Sequence, residues 1–209
     1  MKTKSGENDD FRIAIASKLA PRAVADSGRG TIVAVADVDA PPDRVFRALT
    51  TNEVERWWGH ADYYRQEDWK ADLRVCGPWS VNVRFPDGST NTGSGEFAEI
   101  DPPHKLVMTR RFEKHPLQDP RETTITYRLE PIATGTRLTV RDEGLIGRSE
   151  AAYGNAEHWE RVLAWLDGHF QTHAADSGRV DDKQHDGYQS NLVAKITPEA
   201  VGDRISPGS

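Results

Sequence analysis

Apolar positions alternate with polar ones along the middle of this chain, and that alternation changes to a helical repeat near residue 155. In Trp79–Phe85 the residues Trp79, Val81, Val83 and Phe85 fall on one face, which predicts a half-buried strand. Pro86-Asp87-Gly88 then signals a turn, and a further strand is expected through Gly95–Ile100, broken by Asp101-Pro102-Pro103. Lys105–Phe112 and Thr123–Leu129 read as the next two strands, with Ile125, Tyr127 and Leu129 on one side. After a turn at Gly135, Leu138, Val140 and Asp142 share a face. Strands joined by such short turns pair antiparallel. The helical repeat follows: Trp159, Val162, Leu163, Leu166 and Phe170 form one apolar stripe, with Trp165 outside it. Gly154-Asn155 is either its cap or a weak interior point.

Before these strands, Thr31–Val38 is a β-rich run ended by Asp39 and Pro41-Pro42. Pro42 suits a first helical turn and Asp43 the positive end of the helix dipole, with Val45, Phe46 and Leu49 facing inward. Thr50 and Glu53 are spaced as a capping box, so a second short helix is expected to begin there and run into Trp57. The flanks differ from this core. Residues 1–30 read as an N-terminal arm, with Phe11–Leu19 apolar enough for a strand or a docked segment. Residues 31–173 read as one domain. Residues 174–209 read as a flexible tail, because 175–190 are rich in Asp, Ser, Gly and Gln, although Asn191–Ile205 has some apolar residues that suit docking.

Three segments carry a resemblance: APPDRVFRALTTNEVERWWG (Ala40–Gly59), GEFAEIDPPHKLVMT (Gly95–Thr109) and HWERVLAWL (His158–Leu166), with TRLTVRDEGL between the last two. In this order they resemble the START-like, or SRPBCC, superfamily over roughly Thr31 to Thr172. Within it they are most similar to the family named after the activator of the heat-shock chaperone (Hsp) ATPase. The resemblance implies an α+β helix-grip fold, as in the Bet v allergens, with a curved antiparallel sheet of about seven strands wrapped around a long C-terminal helix. Members bind lipids, hormones, aromatic polyketides or other apolar molecules. The additional N-terminal domain of the chaperone activators is not expected in this chain. Two departures stand out: Cys76 and Pro78 lie where Gly-Gly usually precedes the tryptophan, and Asp142 lies where histidine is common.

A cavity between sheet and helix needs an apolar wall with a few orienting polar groups. The candidates for that wall are Trp57, Trp58, Trp79, Phe97, Met108, Tyr127, Asp142, Trp159 and Leu163; the aromatic ones serve equally well as plain core. Asp142 falls on an apolar face, where an unpaired carboxylate is costly. It either meets a ligand, acts as an acid or base, or turns to solvent or pairs with Arg110 or Arg128. Tyr127 can offer its hydroxyl in the same way.

Composition narrows the function. The 209 residues carry a formal net charge of -6, which argues against general nucleic-acid binding. The single cysteine, Cys76, excludes an internal disulfide and fits a reducing compartment, and no apolar run reaches signal or membrane-span length, so a cytoplasmic protein without membrane contact is expected. His169 and His173 have helical spacing, but Phe170 replaces the glutamate of the metalloprotease motif, so no metal is expected. Gly93-Ser-Gly95 precedes a strand and lacks the following Lys of a phosphate loop; no cofactor is expected. The leading expectation is a binder of a small apolar or aromatic molecule. A cyclase-, aromatase- or hydrolase-like enzyme using the same cavity and a chaperone-contacting module remain the alternatives. The sequence carries no signal of oligomeric state.

Overall fold

The computed structural model describes residues 18–113, 122–147 and 149–177, with side chains from 152 to 172 in the last stretch. The expected strand or arm at Phe11–Leu19, except its last two residues, lies outside the described residues. So do the side chain of His173 and the segments 178–190 and Asn191–Ile205.

A nine-stranded antiparallel sheet forms the body: β1 (Arg22–Asp26), β2 (Thr31–Val38), β3 (Gly59–His60), β4 (Tyr64–Ala71), β5 (Pro78–Arg84), β6 (Thr90–Asp101), β7 (Lys105–Phe112), β8 (Thr123–Ile132) and β9 (Gly135–Glu143). Its order is β1-β2-β9-β8-β7-β6-β5-β4-β3. Two short helices, α1 (Pro42–Thr50) and α2 (Val54–Trp57), fill the crossover from β2 to β3, and the long α3 (Ser149–Ser177) follows β9. This is an α+β helix-grip architecture. The sheet exceeds the expected count of about seven because two short strands extend it at its edges. One of them, β1, lies in the stretch set apart as an arm: all five of its residues pair with β2, from Arg22↔Val35 to Asp26↔Thr31. The Ala23 N–H, on this edge strand, donates to Glu160 of α3 at 2.8 Å, giving that edge a polar partner.

The helix starts follow local chemistry. Pro42 opens α1 with Asp43 in its first turn, and Val45, Phe46, Ala48 and Leu49 are buried. The expected capping box does not form. Thr50 is the last residue of α1, and its hydroxyl donates back to the Phe46 carbonyl at 2.8 Å, while the N-cap of α2 is Glu53, without a side-chain cap. The Glu53 carboxylate is instead taken by Arg44, which donates through both terminal nitrogens, and by His169 Nε2 at 2.7 Å. That cluster ties α1 and α2 to the far half of α3. Gly154 and Asn155 are interior to α3, and the stripe Trp159, Val162, Leu163, Leu166 and Phe170 is buried. α3 packs on β1 and β2, so its second half completes the main core with Ile32, Ala34, Ala36 and Val38.

Candidate functional site

Under the first half of α3, the inner face of strands β4 to β8 encloses a cavity of about 340 Å³. That volume is at the small end of the range of about 300–1,000 Å³ for ligand pockets. Apolar walls come from Leu49 and Val54 on the helices, Val81 and Val83 on β5, Met108 on β7 and Ile125 on β8. Around them stand the rings of Trp58, Trp69, Trp79, Phe85 and Phe112. Tyr63 and Gly154 line the cavity and are also exposed, which places them at its rim.

Strand β4 builds one wall through an irregularity. Tyr64 and Gln66 face inward by simple alternation, which would then turn Trp69 outward. A register shift between Glu67 and Lys70, with Asp68 at φ 56°, inserts a bulge and brings Trp69 back to the inner face, where it stacks on Trp79 with centroids 5.5 Å apart. Asn82 Nδ2 donates to the Asp68 carboxylate at 3.0 Å and steadies the bulge. β6 contributes by omission. A Cβ on Gly95 would lie 2.0 Å from the Thr109 carbonyl and 2.8 Å from Trp79 Nε1, and one on Gly93 would lie 2.7 Å from the Phe112 ring. These glycines make room for two wall aromatics, and Trp79 Nε1 reaches the Thr109 carbonyl at 3.0 Å.

The polar groups of the wall gather around two tyrosines. Trp58 Nε1 donates to the Tyr64 hydroxyl at 2.9 Å, and that hydroxyl is 3.3 Å from His158 Nε2. The Tyr64 hydroxyl accepts from the indole, and the direction of its contact with the imidazole is set by the histidine tautomer. Tyr127 is 3% exposed and lines the cavity, where Trp69 Nε1 is a buried donor with no partner among the described residues. Burial pushes both phenols well above their usual range, against the opposing pull of nearby Arg110, so both remain protonated at neutral pH. Arg110 lies on the same inward face of β7 as Leu106 and Met108. Its Nη2 reaches past β8 to Asp142 Oδ2 at 2.7 Å, and the same oxygen accepts from Trp159 Nε1 at 3.0 Å. Asp142 Oδ1 has no hydrogen-bond partner among the described residues.

The residues expected to line the cavity therefore divide. Trp58, Trp79, Met108 and Tyr127 are in its wall. Trp57 is not, because its Nε1 donates to the Ala48 carbonyl at 3.1 Å and turns the ring under α1. Phe97 and Leu163 are core residues, at 0% and 1% exposure. Trp159 stands one layer back, its ring packed edge-on against Trp58 and Tyr127 with centroids 5.6 and 6.1 Å away. Asp142 is behind the wall, and of the fates open to it, pairing with Arg110 is the one observed. Tyr64, Gln66, Trp69, Asn91, Arg110, His158 and Arg161 were not proposed from sequence. Arg110 had a signal, a charge in phase with Leu106 and Met108. The β4 residues had little, since the bulge destroys their alternation. Among the described residues no three His, Cys, Asp or Glu side chains assemble as a metal site, and no helix is long and apolar enough to cross a membrane.

Comparison with known proteins fits this architecture. Among curated proteins none matches the chain. Solved structures do: protein CV1439 of Chromobacterium violaceum is 23% identical with a TM-score of 0.60, over 68% of this chain and 97% of that one. Protein Ms6760 of Mycobacterium smegmatis is 22% identical with a TM-score of 0.59, over 73% and 96%. DynU16, described as a putative protein in the dynemicin biosynthetic locus, is 23% identical with a TM-score of 0.54, over 69% of this chain and 48% of its own. At these identities the likeness is one of fold. Residues 39–171, from the end of β2 to the last turns of α3, match the family described as activator of Hsp90 ATPase homolog 1-like protein, and the chain belongs to that family.

Proposed function

We propose that this chain is a small-molecule binding protein that holds an apolar or aromatic ligand in the cavity between the sheet and the first half of α3. The observation that carries the reading is the wall itself. Large aromatic rings and six other apolar side chains surround space for a ligand, and two buried donors of that wall, Trp69 Nε1 and Arg161 Nε, have no hydrogen-bond partner among the described residues. A core built only for stability fills such a volume, because each unfilled Å³ costs dispersion contacts and an unpaired buried donor costs more. Native mass spectrometry of protein purified from its own host, followed by extraction of bound material, tests the reading. A reproducible small-molecule adduct lost in Val83→Trp, which fills the cavity, supports it. An adduct unchanged by that substitution places the ligand elsewhere and overturns it.

A second reading, as a cyclase- or hydrolase-like enzyme, has one observation in its favour. His158 Nε2 and the Tyr64 hydroxyl meet at 3.3 Å on the cavity wall, an arrangement suited to moving a proton. Asp142, the acid or base first considered for such a role, is committed to Arg110 and Trp159. The enzyme reading predicts that the extracted ligand turns over with wild-type protein and not with His158→Gln. The chaperone contact suggested by the family description is tested separately, by ATP turnover of the chaperone with and without this protein.

A further inference from the structure

The cavity has the opposite electrostatic character to the chain around it. The protein carries a formal charge of -6, yet the wall contains Arg110, Arg161 and His158 and no aspartate or glutamate. Arg110, 6% exposed, is balanced from behind by Asp142 through Nη2, and its Nε and Nη1 donate to no other described residue. Arg161, on α3, makes no ion pair among the described residues. Its guanidinium carbon is 5.2 Å from the Tyr63 ring centroid, and its Nε has no partner. Arg161 follows His158, which meets the Tyr64 hydroxyl at 3.3 Å, by one helical turn, and Arg110 shares Asp142 Oδ2 with Trp159, whose ring packs on Tyr127. The rest of the wall is largely apolar, with Trp69, Trp79, Val81 and Val83 beside the buried amides Gln66 and Asn91. Among the described residues one positive charge, that of Arg161, is thus left without a counter-charge. A cation half-withdrawn from water gains from an anion that replaces the lost hydration.

We propose that the ligand of this cavity is a monoanion, an aromatic or apolar body bearing a single carboxylate that is received by Arg110, Arg161 and the Tyr127 hydroxyl. A planar carboxylate matches the donor fork of a guanidinium, and one charge is what the wall leaves unbalanced. The proposal rests on the ligand-binding reading above and adds the charge of the ligand, with its acid group towards the arginines.

The test is isothermal titration of the full chain at neutral pH with matched pairs: benzoate and benzamide, 2-naphthoate and 2-naphthamide, biphenyl-4-carboxylate and its amide. In at least one pair the acid is expected to bind tighter than the amide by about tenfold or more. Arg161→Gln is expected to remove most of that preference, weakening the acid far more than the amide of the same pair. Acid and amide binding equally in every pair overturns the anionic ligand and leaves the binding reading standing. An acid preference that survives both Arg161→Gln and the paired replacement Arg110→Met with Asp142→Leu also overturns it. Failure of every acid to bind below about 1 mM overturns the monoanion, while the binding reading is decided separately by the adduct and its loss in Val83→Trp.

Discussion

Replacing Asp142 by asparagine changes one charge in the protein interior and almost nothing in shape. Asp142 is 0% exposed, and its Oδ2 accepts from Arg110 at 2.7 Å and from Trp159 at 3.0 Å. Two unit charges about 4 Å apart attract by about 4 kcal/mol at an effective dielectric of about 20, and burying them takes back much of this. The pair as a whole therefore contributes little, but removal of one member strands the other. Asp142→Asn leaves Arg110 in the wall without its carboxylate, at a cost of about 3 kcal/mol. For a chain of this size that lowers Tm by about 6–12 °C. Arg110→Met strands the fully buried carboxylate, at about 3–5 kcal/mol. Arg110→Met with Asp142→Leu removes both charges, and its cost is expected to fall at least about 2 kcal/mol below the sum of the corresponding single changes. Urea unfolding followed by tryptophan fluorescence measures each corner of the cycle. Costs that add to within about 0.5 kcal/mol would show the two charges to be uncoupled and would refute the reasoning.

Three further outcomes are expected. Cys76 has φ 60°, a left-handed conformation where the family resemblance expects glycine, so Cys76→Gly should stabilise by about 0.5–1 kcal/mol in chemical denaturation; a loss of stability contradicts that reading. Gly95→Ala puts a methyl group 2.0 Å from the Thr109 carbonyl and should destabilise by at least about 2 kcal/mol, with a changed near-ultraviolet signal from Trp79; an unchanged melt shows that β6 and β7 part easily. The Asp37 carboxyl is held below its usual range, first by the side chain of Arg137, against the opposing effect of burial and with help from the Leu19 N–H. Its stabilisation is complete above the unfolded value of about 3.9 and is lost as pH falls through the folded one. Asp37→Asn should therefore flatten the decline of Tm below about pH 4, and an unaltered acid limb would remove Asp37 from the account.

Alternation exposed β5, β7, β8 and β9, and the helical stripe exposed α3, because each buries one continuous face against a single layer. β4 was hidden for a physical reason. Its sequence YRQEDWKA is polar at most positions, and the Asp68 bulge moves Trp69 out of phase with Tyr64 and Gln66. Parity placed Asp142 on an apolar face. The same argument applied to Leu106, Met108 and Arg110 points to its partner. The cavity itself was less legible. Periodicity says which side of an element faces inward, not which stretch of that side meets another side chain and which meets empty space. Trp159 and Leu163 share the inward stripe with His158's helix turn, but they lie where α3 meets packed neighbours, one layer from the cavity. Trp57 and Trp58 are adjacent in sequence, and only the carbonyl of Ala48, claimed by the first, decides which of them turns to the wall.

The absent side chains of Gly93 and Gly95 reach beyond packing. Neither residue is part of the cavity wall, yet Phe112 and Trp79 occupy the space that their Cβ atoms would need. The wall can therefore be moved from behind. A single methyl group at Gly93 would press the Phe112 ring away from β6 while every residue touching a ligand kept its identity. Relatives with the same lining residues can differ in cavity width through these two positions alone. Selectivity for ligand size would then drift by substitutions that no inspection of the contact residues would notice.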